Sequence, residues 1–257
     1  MLSSNLAGEP AAAAWGPRSG PPLIIAHRGA SAVAVENTEA AFRAAIDAGA
    51  DGVELDVRLT SGGDVVVFHD DTLERLSGRR DRVDRLSLRE LRRVPLIDGH
   101  RILTLAEALE ALSGLLVNVE IKAGAGPVPR RLAEHTTRVI ERSGAADRVL
   151  VSSFHPLVLA QVRRLSRLPI GYLFHGEQGL PLRRNVPAHL LRAQAVHPHF
   201  GLATSARVRA WHRHGFAVNV WTVDDAALTA RLVRAGVDSL ITDDPAATRR
   251  SVAAACG

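Results

Sequence analysis

The sequence predicts a parallel eight-stranded α/β barrel, and three observations carry that expectation. From Leu23 onward, short β-branched runs alternate with amphipathic stretches of helical period. The runs are apolar almost throughout rather than alternating, as strands are when both faces of a sheet are covered. Eight of them fit into about 235 residues, which suits a closed (β/α)₈ TIM barrel better than an open doubly wound sheet. No G-x-G-x-x-G pattern opens the first helix, which further disfavours a dinucleotide-binding sheet.

In chain order the strands are LIIAH (23–27), GVELDVRL (52–59), LLVNVEIK (115–122), RVLVSSF (148–154), PIGYLF (169–174), AQAVHP (193–198), AVNVWTV (217–223) and VDSLITD (237–243). Helical patterns fill 38–49, 104–114, 130–144, 156–167, 204–215, 225–236 and 245–255. Gly49, Gly144, Gly215 and Gly236 fall just past helix ends, where a left-handed cap is wanted.

Two segments break this rhythm. GGDVVVFHD (62–70) reads as a tight turn and an extra strand, which either pairs back on 52–59 or takes a barrel position of its own. Residues 71–102 carry many charges and no strong core period, so they read as a long excursion on one rim with a short helix at SLREL (87–91). An excursion of that length is commonly functional, and this one directly follows a polar strand end. Residues 1–22, rich in Ala, Gly, Pro and Ser, are expected to be a disordered tail that the domain at 23–257 does not need.

Composition excludes several classes. No window approaches the ~18 to 20 apolar residues of a membrane helix, so stable membrane insertion is not expected. The start lacks the basic leader and apolar stretch of a secretory signal. The only cysteine, Cys256, rules out an intrachain disulfide and a cysteine zinc site, and a cytoplasmic location fits best. Net charge is +5, but the arginines are spread over helical faces such as RRLAEHTTRVIER and aromatics make up only 4%. That pattern argues against a nucleic-acid partner and leaves a small anionic substrate.

The chemistry concentrates at the C-terminal ends of the strands, the end that carries the site in a parallel barrel. His27 and Arg28 end the first strand. Glu54 and Asp56 stand two apart on the second and so share a face, as Glu120 and Lys122 do on LLVNVEIK; His69 and Asp70 end VVVFHD. Inward acids on apolar strands need a strong partner, because an unpaired buried charge costs several kcal/mol. One divalent cation would satisfy several at once, and all-oxygen donors favour Mg²⁺ or Ca²⁺ over zinc. Arg28 offers a fork suited to phosphate oxygens and Lys122 a point charge. Two histidines supply an acid and a base near neutral pH. Together these groups describe phosphodiester cleavage.

HRGASAVAVENT, DGVELDVRLTSGGDVVVFHDDTLERLSG, LTLAEALEAL, VNVEIK, VSSFHPLVL, VNVWTVDD and GVDSLITDDP occur in an order that resembles glycerophosphodiester phosphodiesterases, from about residue 23 to 250. The resemblance implies a (β/α)₈ barrel whose insertion after the H-D motif falls at 71–102. It implies metal ligands at Glu54, Asp56 and Glu120, an acid–base pair at His27 and His69, and phosphate contacts from Arg28 and Lys122. Glu36 and Asn37 would brace the first loop, with Asn37-Thr38 also readable as a helix cap, and Asp70 would support the site. Trp221 would wall the glycerol or alcohol part, a core role being equally compatible. The implied reaction is metal-dependent hydrolysis of a small-molecule glycerophosphodiester to sn-glycerol 3-phosphate and an alcohol, through a cyclic phosphate that water opens. The alternatives are a phospholipase D-type lyase acting on lysophospholipid, disfavoured for want of an exposed apolar feature, and a barrel that binds a phosphate ligand without turnover. Asp224 stands where the family often has asparagine and His155 where an acid is common, departures expected to bear on specificity without touching the acid–base set. His197, at the end of AQAVHP, is placed at the catalytic rim without a proton-transfer role.

Overall fold

The computed structural model describes residues 11–123 and 130–256. Its strands are β1 (Leu23–His27), β2 (Gly52–Leu59), β3 (Val65–Val67), β4 (Leu116–Ile121), β5 (Val149–Ser153), β6 (Ile170–Phe174), β7 (Ala195–Pro198), β8 (Ala217–Val220) and β9 (Ser239–Thr242). Eight of these are parallel neighbours in the order β1-β9-β8-β7-β6-β5-β4-β2, and the β1–β2 pairing closes the ring into the expected barrel. β3 is the exception: it folds back antiparallel on β2, with Val57 opposite Val67 and Leu59 opposite Val65. Of the two readings open for 62–70, the hairpin is the one realised. Gly63, at φ +93°, supplies its turn.

The helices cover the outside of the barrel, and their ends follow from local chemistry. Thr104 and Glu107 form a reciprocal capping box that starts the helix Leu105–Ala111, whose Leu105, Ala108 and Leu109 are buried against the barrel. The four glycines expected at helix ends all have positive φ, between +66° and +79°. Between β6 and β7 lie two short helices, Leu180–Arg183 and Val186–Leu190, each with a proline in its first turn. They are too short to print a 3.6-residue period, which is why the sequence did not announce them.

Residues 71–102 build a small apolar cluster of their own, in which Leu73, Leu76, Val83 and Leu91 pack on Val66 and Phe68 of the hairpin. The helix at Leu88–Leu91 is present, opened by a Ser87–Glu90 capping box. Several short pieces share this cluster, so no single period shows in the sequence.

The N-terminal segment departs from the disordered tail expected for 1–22. Residues 1–10 lie outside the described residues, but Ala11–Ala14 is a helical turn and Trp15 is only 2% exposed. The indole joins the inward-facing Leu23, Leu116, Leu150, Ala195 and Ala217 at the N-terminal end of the barrel, and its Nε1 donates to Arg148 O at 3.2 Å. A tryptophan among small residues fills the bottom of a barrel whose own inward side chains there include two alanines. Among the described residues no helix is long and apolar enough to cross a membrane.

Above that apolar floor the barrel interior turns polar, with Asn118, Ser152, His197 and Asn219 fully or almost fully buried. His197 therefore sits within the barrel and not at its rim. Its Nε2 shares a 3.0 Å hydrogen bond with Asn219 Nδ2, and burial drives its pKa down to about 3, so the ring is a neutral packing element. Gly171 makes room for it: a methyl at residue 171 would overlap His197 Nε2 and crowd the Leu150 side chain. Gly171→Ala should thus destabilise the fold by about 1–3 kcal/mol. In urea unfolding, adding His197→Ala should recover part of that loss, and strict additivity of the two changes would contradict the contact.

Candidate active site

The site begins where β1 ends. Arg28 adopts φ +58°, a strained value for a residue with a side chain, and Gly29 follows at φ +85°. A Cβ on Gly29 would come within 2.6 Å of the Ala41 backbone, so only glycine lets this loop turn tightly beneath the helix Glu39–Asp47. The turn aims Arg28 into the barrel mouth. Its Nε lies 3.1 Å from Asp56 Oδ2, and its Nη1 donates to Glu36 Oε1 at 3.0 Å. Asn37 is also left-handed and buried, and its Nδ2 donates to Asp56 Oδ2 at 2.9 Å. Thr38, the next residue, is the helix cap, accepting from Ala41 N.

Glu54, Asp56 and Glu120 converge as the strand alternation requires, with one oxygen of each inside a span of 4.8 Å. All three are buried. Lys122 Nζ reaches Glu120 Oε1 at 2.6 Å and Asp56 Oδ1 at 2.9 Å. Two fixed cations, Arg28 and Lys122, thus face three carboxylates, and both serve Asp56. Burial opposes ionisation of Asp56, but Lys122 and Arg28 overcome it and hold the carboxyl well below its usual range. Glu54 is left over. Its nearest cationic partner is His27 Nε2 at 3.9 Å, and its Oε1 is buried with no hydrogen-bond partner. Burial, reinforced by Asp56 and Glu120, pushes its pKa up to about 8. A buried acid with an unpaired oxygen, set among other carboxylate oxygens, is what a hard divalent cation satisfies.

The two candidate acid–base histidines line the cavity, His27 at the end of β1 and His69 two residues past β3, each fixed through Nδ1. His27 Nδ1 is 2.6 Å from Asp243 Oδ1, and His69 Nδ1 is 2.6 Å from Asp70 Oδ1. Their surroundings pull them apart. Burial works against the His27 imidazolium, yet the Asp243 hydrogen bond and the Glu54 charge outweigh it and raise the pKa. For His69, burial together with Lys122 and Arg28 lowers the pKa against the pull of Asp56 and Asp70. The cavity holds about 290 Å³ and is closed by Phe154, Leu173, Trp221 and Ile241. Trp221 is fixed by donation from Nε1 to His197 O at 2.7 Å and by an edge-to-face contact with Phe154, centroids 5.4 Å apart.

The eleven residues that the resemblance assigned to the site gather at this one mouth; Asp243 was missed. The register shows how it could have been found: Ala26 pairs with Thr242 across the β1–β9 seam, so the next step sets His27 beside Asp243. Asp224 also matters more than expected. Its Oδ1 accepts from Asp243 N at 2.7 Å and Thr242 Oγ1 at 2.9 Å, so it holds the segment that holds His27. His155 caps the helix Pro156–Leu165 through Nδ1, away from the histidine pair.

A barrel mouth with three clustered carboxylates that could hold a metal ion, two basic side chains and two imidazoles is the arrangement a phosphoric diester hydrolase needs. Comparison with known proteins gives the particular family. The model of the glycerophosphoryl diester phosphodiesterase family matches residues 27–247. A glycerophosphodiester phosphodiesterase of Caldanaerobacter subterraneus is 36% identical over 87% of this chain and 94% of its own length. A probable glycerophosphodiester phosphodiesterase of Mycobacterium tuberculosis is 34% identical over 88% and 89% of the two chains. Among solved structures, an Oleispira antarctica phosphodiesterase in complex with its product sn-glycerol-3-phosphate superposes with a TM-score of 0.83 at 27% identity, covering 91% of this chain and 97% of that one. The chain belongs to the glycerophosphoryl diester phosphodiesterase family.

The unpaired Glu54 has a consequence for the metal-free protein. A carboxyl whose folded pKa lies above its unfolded value contributes stability that is complete below the unfolded value and is lost as pH rises through the folded one. In chelator, the melting temperature should therefore fall as pH climbs from about 4.5 toward about 8, a loss on the order of a few kcal/mol. Glu54→Gln should flatten that decline, whereas Mg²⁺ or Ca²⁺ should raise the wild-type curve and leave the variant where it is. Parallel melting curves for the two proteins across this range would show that Glu54 is not the odd charge.

Proposed function

We propose that the protein hydrolyses glycerophosphodiesters to sn-glycerol 3-phosphate and an alcohol, using one Mg²⁺ or Ca²⁺ and the histidine pair His27 and His69. The observation that carries this reading is the pair of carboxylate-braced imidazoles set around an acidic trio that is one positive charge short. The product bound in the Oleispira antarctica relative supports glycerol phosphate as the part of the substrate retained. A cytoplasmic location fits a chain whose only cysteine is Cys256.

When bound by Glu54, Asp56 and Glu120, the cation would supply Lewis-acid charge to the phosphate oxygens. Arg28 and Lys122 line the same cavity and add the positive charge that a dianionic transition state needs. His69, with its lowered pKa, is neutral near pH 7 and takes the proton from the glycerol hydroxyl beside the phosphate. That oxygen forms the new bond to phosphorus. His27, with its raised pKa, holds a proton for the alcohol oxygen as its bond to phosphorus breaks. The roles then reverse: His27 takes a proton from water, water opens the cyclic phosphate, and His69 returns the proton to the glycerol oxygen. Trp221 stands beside the glycerol as a flat apolar wall.

A second reading gains a specific observation. A trough of about 450 Å³ adjoins the cavity, shares Glu120, Lys122 and Phe154 with it, and continues over Pro156, Leu157 and Leu182. Leu157 is 57% exposed, and Leu180, two residues before Leu182, is exposed as well. The expectation of no exposed apolar feature thus fails at the rim that matters, and a lysophospholipid substrate becomes a serious competitor. Phosphorus NMR of the products from glycerophosphocholine and from lysophosphatidylcholine separates the two readings, since hydrolysis ends in an acyclic monoester and a lyase leaves a cyclic one.

Purified protein with Mg²⁺ or Ca²⁺ should release glycerol 3-phosphate from glycerophosphocholine, glycerophosphoethanolamine or glycerophosphoglycerol, and failure on all three would sink the proposal. His27→Ala and His69→Ala should each lower turnover by ~10² to 10⁴-fold. The pH profile of kcat/KM should be a bell that rises as His69 loses its proton and falls as His27 loses its own. Each variant should lack one limb: the acidic limb for His69→Ala and the alkaline limb for His27→Ala.

A further inference from the structure

Arg75 of the rim insertion bonds to two carboxylates that brace residues of the site. Arg75, in the short helix Glu74–Ser77, donates from Nη1 and Nη2 to the two oxygens of Glu36, both at 2.7 Å, and from Nε to Asp70 Oδ2 at 2.7 Å. Glu36 is the carboxylate that receives Arg28, and Asp70 is the one behind His69. A continuous chain of alternating charge results: Asp56, Arg28, Glu36, Arg75, Asp70, His69. The helix that carries Arg75 is pinned from both sides. Leu73 and Leu76 are buried in the insertion's own apolar cluster together with Phe68, the residue before His69, and Val35, the residue before Glu36, packs on that cluster. Packing thus fixes the backbone at all three points that the guanidinium bridges.

We propose that Arg75 is a positioning residue for the phosphodiester reaction, its guanidinium holding Asp70 behind His69 and Glu36 behind Arg28. The inference rests on the roles given above to His69 and Arg28. The contrast with the other histidine shows what Arg75 does. Asp243, behind His27, is held by the Ser31 hydroxyl and by Asp224 through the backbone, and among the described residues no guanidinium or ammonium pairs directly with its carboxylate, Arg28 acting on it only at a distance. Asp70 is shared between His69 and a guanidinium that neutralises it. The two braced imidazoles thus differ in what stands behind the carboxylate: a hydroxyl at Asp243, a guanidinium at Asp70. The other charged groups facing His69 are Asp56 from β2, Arg28 from the loop after β1 and Lys122 from the end of β4, while Arg58 binds its backbone oxygen and pairs with Asp71. None of these reaches the second oxygen of Asp70. Without Arg75 that oxygen is unmatched, and Asp70 offers its full charge to His69.

The test uses the full-length protein with its cation. Arg75→Gln should lower kcat/KM at pH 7 about tenfold or more and move the acidic limb of the profile up by about half a pH unit or more. Arg75→Lys, which restores a charge but not the fork, should recover part of both effects. In an Asp70→Asn background the Arg75→Gln change should no longer move the limb, because the carboxylate that transmits the charge is gone. An unshifted limb, whatever the rate, would overturn the proposal and leave Arg75 as a surface tie for the insertion. If Arg75→Gln does not fold, the limb in Arg75→Lys and in Asp70→Asn decides on the same criterion. Full turnover in His69→Ala would overturn the acid–base reading and this inference with it. An inactive His69→Ala alongside a wild-type profile in Arg75→Gln would overturn only the role of Arg75.

Discussion

The constraint on which the rest of the mouth depends is a charge imbalance. Three carboxylates point inward from two adjacent strands, and the protein supplies two fixed cations against them. Burying an ion without a partner is costly, so every neighbouring element is bent toward covering this deficit. Arg28 accepts a left-handed backbone to reach Asp56, Gly29 follows because no side chain fits against Ala41, and Asn37 accepts a second left-handed value to donate to the same carboxylate. Lys122, one residue past β4, spans Asp56 and Glu120. What remains unmet is one charge at Glu54. Three buried carboxylates with one oxygen left unpartnered form a group that could hold a metal ion.

The sequence made the barrel legible because its signals were redundant. Apolar runs, helix caps and glycines at helix ends all marked the same boundaries, so all eight strands fell close to their expected places. The site was legible for a related reason: a charged residue on an apolar strand is expensive enough to be conspicuous, and alternation says which acids share a face. What stayed hidden was information that lives between elements. Asp243 could be assigned to His27 only once β9 was known to close on β1. Trp15 looked like part of a tail because nothing local says that the bottom of a barrel floored partly by Ala195 and Ala217 needs a large plug. His197 looked like a rim residue because alternation does not say that its ring points into the barrel to meet Asn219.

The insertion is the clearest case of function carried by packing and not by motif. Its charges, read in sequence, resemble a solvated loop, and most are paired locally at the surface, as Arg79 with Asp81 and Arg82 with Asp84. Such exposed pairs contribute little to stability. Arg75 belongs to a different category because both of its partners are themselves committed to residues in the mouth. A bidentate fork on Glu36 with a third bond to Asp70 uses the planar donor geometry that lysine lacks. Since the insertion's apolar cluster grows out of the β2–β3 hairpin through Val66 and Phe68, it holds that fork just past the hairpin's end, where His69 lies two residues beyond β3. The position of the insertion in the chain and the position of the imidazole in the site are thus two consequences of one strand folding back on β2.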